Sequence, residues 1–138
     1  EREFGHARNA LADRMFFLET LDGEPVGSIT AWWEPHTDTP GARGRIHWVV
    51  IHPVYQRKGL SKPMMTHAMR KLAQHYPSAM LETATELTWA VKVYLDFGFR
   101  PDPDELRQPN IVEGWRQVQQ VLDHPGLARA LETLGQAP

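Results

Sequence analysis

The stretch RIHWVVIHPVYQRKGLSKPMMTHAMRKLA, from Arg45 to Ala73, decides the fold of this chain. Its first part, residues 46–51, is rich in β-branched and aromatic residues, which predicts a buried strand that ends at His52-Pro53. Its last part predicts a helix with one apolar face, formed by Met64, Met65, Ala68, Met69, Leu72 and Ala73. The sequence therefore predicts a strand, a short turn and a helix in direct succession.

The turn between this strand and helix, Gln56 to Ser61, has the composition of an anion-binding site. Backbone N–H groups at a helix N-terminus, aided by the helix dipole, attract negative charge. Gly59 has no Cβ, so a phosphate could approach the main chain closely. Arg57, Lys58 and Lys62 add positive charge to the same turn. An ordinary βα turn with a solvated basic cluster is the alternative interpretation at this point.

The composition limits the class of protein. A chain of 138 residues with 41% hydrophobic and 23% charged residues is typical of one soluble globular domain. The formal net charge of −2 gives no general footprint for nucleic acid or a membrane surface. The absence of cysteine excludes disulfides, thiolate zinc sites and cysteine nucleophiles. We expect a cytoplasmic protein with neither a nucleic-acid partner nor a membrane partner.

The rest of the chain predicts strands and helices around the central unit. Asp22-Gly23 between two apolar runs is a strong hairpin signal, and Gly98 is suited to end a helix. Strands are predicted at 15–20, 26–33 and 79–83, and helices at 87–97 and, split at His124-Pro125-Gly126, at 111–134. This order is typical of an α/β or α+β sheet with helices packed on it.

A second motif, Ala90-x-x-x-Tyr94-x-x-x-Gly98-Phe99, lies further along the chain. Combined with a strand that ends in Val-Val-Ile-His-Pro and with Gln56-x-x-Gly59-x-Ser61, it resembles the GNAT superfamily of acyl-CoA-dependent N-acyltransferases. The two motifs occur in the family's order, and the resemblance covers about residues 15–101.

The resemblance implies an α/β (α+β) fold like that of the acyl-CoA N-acyltransferases. We expect a central mixed, mostly antiparallel sheet with helices on both faces, followed by extra C-terminal helices. Residues 1–101 would form the acetyltransferase domain and residues 102–138 a helical extension of it. We expect the family's first strand and helices to be largely missing from this sequence, because only residues 1–14 precede the hairpin. Ser61 replaces the family's glycine or alanine, and Leu87 replaces its asparagine.

The activity implied by the resemblance is N-acetyl transfer. An acetyl group would move from acetyl-CoA, the co-substrate, to the primary amine of a small molecule by direct transfer in a ternary complex. The alternative is a non-catalytic acyl-CoA-binding sensor or interaction domain on a degenerate GNAT fold. No metal is expected, because the histidines show neither HxxxH nor HExxH spacing. A homodimer is left open, since nothing in the sequence selects a symmetry.

The resemblance also implies where the cofactor binds. The pyrophosphate would lie on the backbone amides of the turn, and a main-chain N–H near Val50, on a strand that splays from its neighbour, would stabilise the oxyanion. The implied cofactor-binding residues are Val49, Val50, Ile51, Gln56, Arg57, Lys58, Gly59, Leu60, Ser61 and Lys62.

Two residues are candidates for proton transfer. Tyr94 falls on the position of the family's usual general acid, and a phenol with a pKa of about 10 can protonate a thiolate. A core aromatic on an amphipathic helix is the alternative interpretation of Tyr94. His47 is the candidate base, because a period of two places it on one strand face with Arg45, Val49 and Ile51, and imidazole titrates near neutral pH.

The base and the acceptor site are less determined by the sequence. Glu34 and Glu82 are rival bases, and a water chain without a dedicated base is also open. We expect Trp33, Glu34 and Glu82 to contact the acceptor amine. The long polar loop that begins at Glu34 and ends at Gly44 is suited to line such a site.

Overall fold

The computed structural model describes residues 8–33 and 41–133. The chain divides into two compact units, one that ends at Glu82 and one that begins at Thr83. The first unit contains α1 (Arg8–Arg14), β1 (Met15–Glu19), β2 (Pro25–Trp32), β3 (Gly44–Ile51), α2 (Ser61–Leu72) and β4 (Ala79–Met80). The second contains α3 (Thr88–Asp96), α4 (Pro109–Leu122) and α5 (Pro125–Glu132). The predicted order of strands and helices is confirmed, although β4 is shorter than the predicted strand at 79–83.

Four strands of the described residues form one sheet in the order β1-β2-β3-β4. The β1–β2 and β2–β3 pairs are antiparallel, and β4 pairs with β3 in parallel. The predicted hairpin joins β1 to β2, and its Gly23 has a positive φ of 84° and donates its N–H to the Thr20 carbonyl at 3.0 Å. The mixed, mostly antiparallel sheet expected from the sequence is therefore confirmed.

Helix α2 covers one face of the sheet. Its predicted apolar stripe is confirmed, since Met64, Met65, Ala68 and Leu72 are buried. The sheet contributes the buried side chains Ile29, Ala31 and Ile46 to the core of this unit. Burial of each large aliphatic side chain contributes about 1.5–3 kcal/mol, so this packing is the main force that holds the unit together.

Strand β3 contains a β-bulge at Trp48-Val49. Ser28 pairs with Val50 and Thr30 pairs with His47, so that two residues of β3 lie opposite Ile29 of β2. Trp48 adopts a positive φ of 51°, which a non-glycine residue rarely does. The extra residue reverses the alternation of side chains along the strand.

The bulge overturns the predicted grouping of side chains on β3. A strict period of two places Arg45, His47, Val49 and Ile51 on one face, and this is wrong. The register pairs Ile51 with Gly27 on the face covered by α2, whereas Arg45 pairs with Trp32 and His47 with Thr30 on the other face. We call this other face, turned away from α2, the far face of the sheet. The sequence alone does not show where a bulge resets the alternation.

The second unit is a small helical cluster with its own core. Val91 and Leu95 of α3, Val118 of α4 and Leu127 of α5 are buried together, and Trp115, Leu122 and Leu131 pack against them. The two predicted C-terminal helices and the break between them are thus confirmed. The proposed division into residues 1–101 and 102–138 stays a prediction. None of the described helices combines the length and the apolar character that crossing a membrane requires.

His124 connects α3 to α5 within the second unit. Its Nδ1 accepts a hydrogen bond from the Gly126 N–H at 3.1 Å and so caps α5, and its Nε2 lies 3.3 Å from Oδ1 of Asp96. Lys92 also contacts Asp96 at 2.8 Å, and this hydrogen bond is the main cause that lowers the pKa of the Asp96 carboxyl. Because Nδ1 is the acceptor, the proton of the neutral imidazole lies on Nε2 and faces the carboxylate.

Two glycines provide a test of the packing. A Cβ at Gly27 would lie 2.5 Å from the Val50 carbonyl oxygen, which the β2–β3 pairing holds in place. We expect Gly27→Ala to lower the free energy of unfolding by about 1–3 kcal/mol. A Cβ at Gly114, inside α4, would meet nothing closer than Thr85 at 3.7 Å, so Gly114→Ala should raise it by about 0.5–1 kcal/mol. Urea denaturation measures both values, and equal stability of the two variants would contradict the described β2–β3 register.

Candidate functional site

The end of β3 is tied closely to the turn that follows it. The His52 N–H donates to the Val26 carbonyl at 2.8 Å, and a single 3-10 turn over Pro53–Tyr55 comes next. The side-chain amide of Gln56 then reaches back and donates to the Ile51 carbonyl at 2.9 Å. The turn therefore has a fixed position relative to the last residues of the strand.

The turn has an unusual backbone conformation. Both Arg57, at a φ of 61°, and Gly59, at a φ of 75°, are left-handed. For a residue with a side chain this conformation costs about 1–2 kcal/mol, so the Arg57 backbone is locally strained. A left-handed residue followed by a right-handed one, as Gly59 is followed by Leu60 at a φ of −69°, is the backbone pattern of an anion-binding nest. A Cβ built at Gly59 meets no atom within 4 Å, so the space beside the turn is open.

The N-terminus of α2 adds further donors to the turn. The helix begins at Ser61, with Leu60 at the N-cap position and no side-chain hydrogen bond to the first turn. Serine usually favours the N-cap itself, but here it is the first helical residue. The first turn also carries no acidic residue that would neutralise the helix dipole. These N–H groups are suited to a bound anion.

Three cations surround the same turn. Arg57, Lys58 and Lys62 are all exposed. The Lys58 ammonium lies 5.2 Å from the centre of the Tyr55 ring, a cation–π contact of about 0.5–1 kcal/mol that orients the side chain over the turn. The positive charge predicted from the sequence is thus placed beside the nest, where it would favour a polyanionic ligand such as a pyrophosphate.

The last residues of β3 have no strand beside them on the β4 side. Strand β4 pairs with β3 through Gly44 and Arg45 and ends at Met80, so in the described residues β3 continues past it. Val50 is 56% exposed on this segment, and Val49 and Ile51 are half-buried. The bulge and the end of β4 together leave the main chain of residues 48–51 at the edge of the sheet.

Three polar side chains lie on the far face where β3 and β4 part. His47 is half-buried, and Arg45 precedes it by two residues on the same face. Glu82 follows the end of β4, and its carboxylate accepts a hydrogen bond from Nη2 of Arg45. The structure therefore brings two of the predicted site residues, His47 and Glu82, to one region of the sheet. Sequence reasoning gave no role to Arg45, although its position two residues before His47 is a usable signal.

Tyr94, the predicted general acid, lies in the second unit on α3. The Phe99 N–H donates to the Tyr94 carbonyl at 3.1 Å across Gly98, whose φ of 93° ends the helix as predicted. The Tyr94 ring meets Phe99 edge-on, with ring centres 6.3 Å apart. Burial raises the pKa of the Tyr94 phenol above its ordinary value, so the hydroxyl keeps its proton at neutral pH.

The other predicted acceptor contacts are Trp33 and Glu34. Trp33 stacks on His75 with ring centres 4.4 Å apart, and the Arg14 guanidinium lies 4.8 Å from its ring centre and 4.5 Å from that of Trp32. This cluster is at the start of β3, away from the turn that follows the end of that strand. Glu34 lies outside the described residues. Among the residues described, no three histidine, aspartate or glutamate side chains are grouped as a metal ion would require.

Comparisons of the sequence and of the structure with known proteins identify similar proteins. Residues 1–99 match the sequence pattern of the acetyltransferase (GNAT) family. An acetyltransferase of Trypanosoma brucei has a similar structure, with a TM-score of 0.57 and 21% identity over 73% of each chain. A GCN5-related N-acetyltransferase of Ralstonia eutropha gives a TM-score of 0.52 at 23% identity, over 69% of this chain and 65% of that one.

A third similar structure is glucosamine-6-phosphate N-acetyltransferase of Arabidopsis thaliana, with a TM-score of 0.52 and 18% identity over 67% of this chain and 65% of that one. Among curated protein sequences none matches. The chain belongs to the acetyltransferase (GNAT) family, because the family match covers well over half of its length. The resemblance and the acyltransferase-like fold predicted from the sequence are both confirmed.

Proposed function

We propose that this protein is an N-acetyltransferase that moves the acetyl group of acetyl-CoA to the primary amine of a small molecule in a ternary complex. The observation that carries the proposal is the basic, left-handed turn at Arg57 and Gly59, which joins a bulged strand to an uncapped helix. Three features suit the three parts of acetyl-CoA. The nest suits the pyrophosphate, the main chain of residues 48–51 at the sheet edge suits the pantetheine arm, and the nearby cations suit the charged nucleotide end.

The cofactor would bind along the strand end and the turn. The amides of Arg57–Ser61 would bind the pyrophosphate, and Arg57, Lys58 and Lys62 would balance its charge. The backbone of Val49, Val50 and Ile51 would hold the arm that carries the thioester. Gln56 would support both parts, because its side chain fixes the turn to the Ile51 carbonyl. Bound there, acetyl-CoA supplies an acetyl group activated as a thioester.

A main-chain N–H near Val50 is our proposed oxyanion donor. The bulge at Trp48-Val49 turns the backbone at this point, and β4 has already ended. A fixed N–H directed at the oxygen that gains negative charge contributes on the order of 3 kcal/mol to lowering the barrier. A backbone donor has the advantage that its position is set by the sheet and needs no side-chain rotamer.

His47 and Tyr94 are the proposed base and acid. His47 takes a proton from the acceptor amine as its nitrogen bonds to the acetyl carbon. The carbon–sulfur bond breaks with its electron pair on sulfur, and Tyr94 gives its phenolic proton to that sulfur. Exchange with solvent then restores both side chains. Glu82, Glu34 or a bound water chain is the alternative base.

The acceptor is proposed to be a small molecule that carries a primary amine. The Arabidopsis thaliana relative is by name an N-acetyltransferase of glucosamine-6-phosphate, which is such an acceptor. We retain as proposals contacts of Trp33, Glu34 and Glu82 with the acceptor, a cytoplasmic location and a domain boundary near residue 101.

A second candidate function is a non-catalytic acyl-CoA-binding domain. Leu87 favours it, because this side chain is 58% exposed at the position where the family has an asparagine. Loss of that polar residue removes one contact expected near the cofactor. The two functions differ in turnover and share the cofactor site.

Binding of acetyl-CoA tests the site that both functions need. We expect calorimetric titration of the wild-type chain to show binding. In Gly59→Glu the carboxylate would occupy the anion position, and affinity should fall by about a hundredfold or more. Gly59→Asn is the matched control, because asparagine tolerates the left-handed conformation without adding charge, and it should bind much more tightly than the glutamate variant. Equal affinity of the two variants would show that the cofactor binds elsewhere.

Tyr94→Phe separates the enzyme from the binding domain. The variant keeps the ring contact with Phe99 and loses the acidic proton. We expect kcat to fall by about a hundredfold or more, while the Kd for acetyl-CoA stays unchanged. The measurement is release of free thiol during acetylation of an amine, together with calorimetry. An unchanged kcat would remove Tyr94 from the mechanism, and a wild-type chain that binds acetyl-CoA but acetylates no amine would favour the binding domain.

A further inference from the structure

The ion pair of Arg45 and Glu82 presents opposite charges side by side where β3 and β4 part. Both side chains belong to the first unit, and they are 37% and 72% exposed. Arg45 lies on the far face, because its cross-strand partner is Trp32. His47, the proposed base, follows two residues later on that face. We call Arg45, His47 and Glu82 the fork.

The Arg45 guanidinium has unused capacity to donate hydrogen bonds. It carries five N–H donors, and Glu82 accepts from one of them, on Nη2. Its Nε is buried and has no hydrogen-bond partner in the part of the chain that the structure describes. The terminal N–H groups that Glu82 leaves unused can donate to a second carboxylate, and such charge-assisted hydrogen bonds are stronger than neutral ones.

The Glu82 carboxylate is also only partly used. One oxygen accepts from Arg45, and the side chain is otherwise largely exposed to solvent. An ionised carboxylate offers about four acceptor positions, so that an ammonium group can bind beside the arginine. The Arg45–Glu82 ion pair carries no net charge, and it therefore favours neither a simple cation nor a simple anion. A ligand with both charges close together complements both partners.

The far face beyond His47 offers apolar surface. Val50 and Phe17 both pair with Ser28 on β2, which places them on this face, and they are 56% and 62% exposed. An acceptor held at the fork by its charged groups could lay an apolar side chain along this surface. Such contact would remove apolar area from water and so favour acceptors with an apolar side chain.

From these observations, and resting on the proposed function, we propose that the acceptor is an amino carboxylic acid. Its carboxylate binds the Arg45 guanidinium, and its ammonium group binds beside Glu82. The ammonium group loses one proton to solvent, and His47 takes a second proton as the neutral nitrogen bonds to the acetyl carbon. The transfer itself is the one described above, with a new nitrogen–carbon bond and a released thiol. Arg45 is thereby a substrate-binding residue that selects acceptors with a carboxylate.

The test compares acceptors that differ by the carboxylate alone: phenylalanine with 2-phenylethylamine, and glycine with methylamine. For the wild-type chain we expect kcat/KM to be at least about tenfold higher for each amino acid than for its matched amine. Arg45→Gln should remove this preference, chiefly by raising KM for the amino acid relative to its matched amine. Arg70→Gln is the matched control for loss of one exposed positive charge in the same unit and should keep the preference.

Glu82→Gln provides an independent variant. It should lower kcat/KM for both members of each pair, and it should change the ratio between them less than Arg45→Gln does. A wild-type chain that acetylates the amines as well as the amino acids, or better, would overturn the proposal while leaving the proposed function intact. Arg45→Gln with an unchanged preference would overturn it as well.

Calorimetric titration of phenylalanine into the complex of the protein with CoA separates this proposal from the proposed function. Binding that Arg45→Gln abolishes would support the site even if no amine is acetylated, an outcome that would count against catalysis alone. The absence of both binding and turnover for the amino acids would overturn the amino-acid site.

Discussion

The β-bulge at Trp48-Val49 is the constraint on which the rest of the proposed site depends. One extra residue in β3 reverses which side chains face α2, and it does so at a residue held at a positive φ. Before the bulge the strand presents Arg45 and His47 to the far face, and after it Ile51 returns to the core side. The same irregularity turns the main chain at the edge of the sheet, where β4 no longer covers it.

The turn after β3 also has backbone groups that are suited to bind a ligand. Left-handed residues at Arg57 and Gly59 direct backbone N–H groups outward, and the start of α2 adds more. Backbone donors keep their positions because the surrounding structure fixes them, whereas lysine and arginine side chains lose rotamer freedom when they bind. In this account the backbone positions the anion and the basic side chains add attraction. The strain at Arg57 is consistent with a segment whose geometry serves binding more than stability.

Much of this arrangement could be predicted from the sequence, because the signals are local. The hairpin at Asp22-Gly23, the apolar stripe of α2 and the glycine that ends α3 each follow from the conformational preferences of a few neighbouring residues. The bulge could not be predicted, since valine, tryptophan and isoleucine favour a strand without indicating where its register shifts. The wrong placement of Ile51 on the same face as Arg45 and His47 follows directly from that limit.

Pairings between distant residues were equally hidden from the sequence. The contact of Arg45 with Glu82 joins β3 to the residues that follow β4, far along the chain, and it depends on the parallel pairing of β3 with β4. The stacking of Trp33 on His75 likewise depends on where α2 ends relative to β2. Motifs within one turn or helix define the proposed cofactor site, whereas the proposed acceptor site is assembled across the sheet. This is why the sequence indicated the cofactor more sharply than the acceptor.

Backbone amide hydrogen exchange with and without acetyl-CoA tests whether the bulged strand and the turn after it bind the cofactor together. If they do, we predict slower exchange on binding for amides within residues 49–51 and 57–62, with little change along β1 and in α5. Slower exchange at both segments would show that bulged strand and turn act together as the cofactor site. Acetyl-CoA that binds without protecting either segment, or that protects amides elsewhere in the chain, would contradict it.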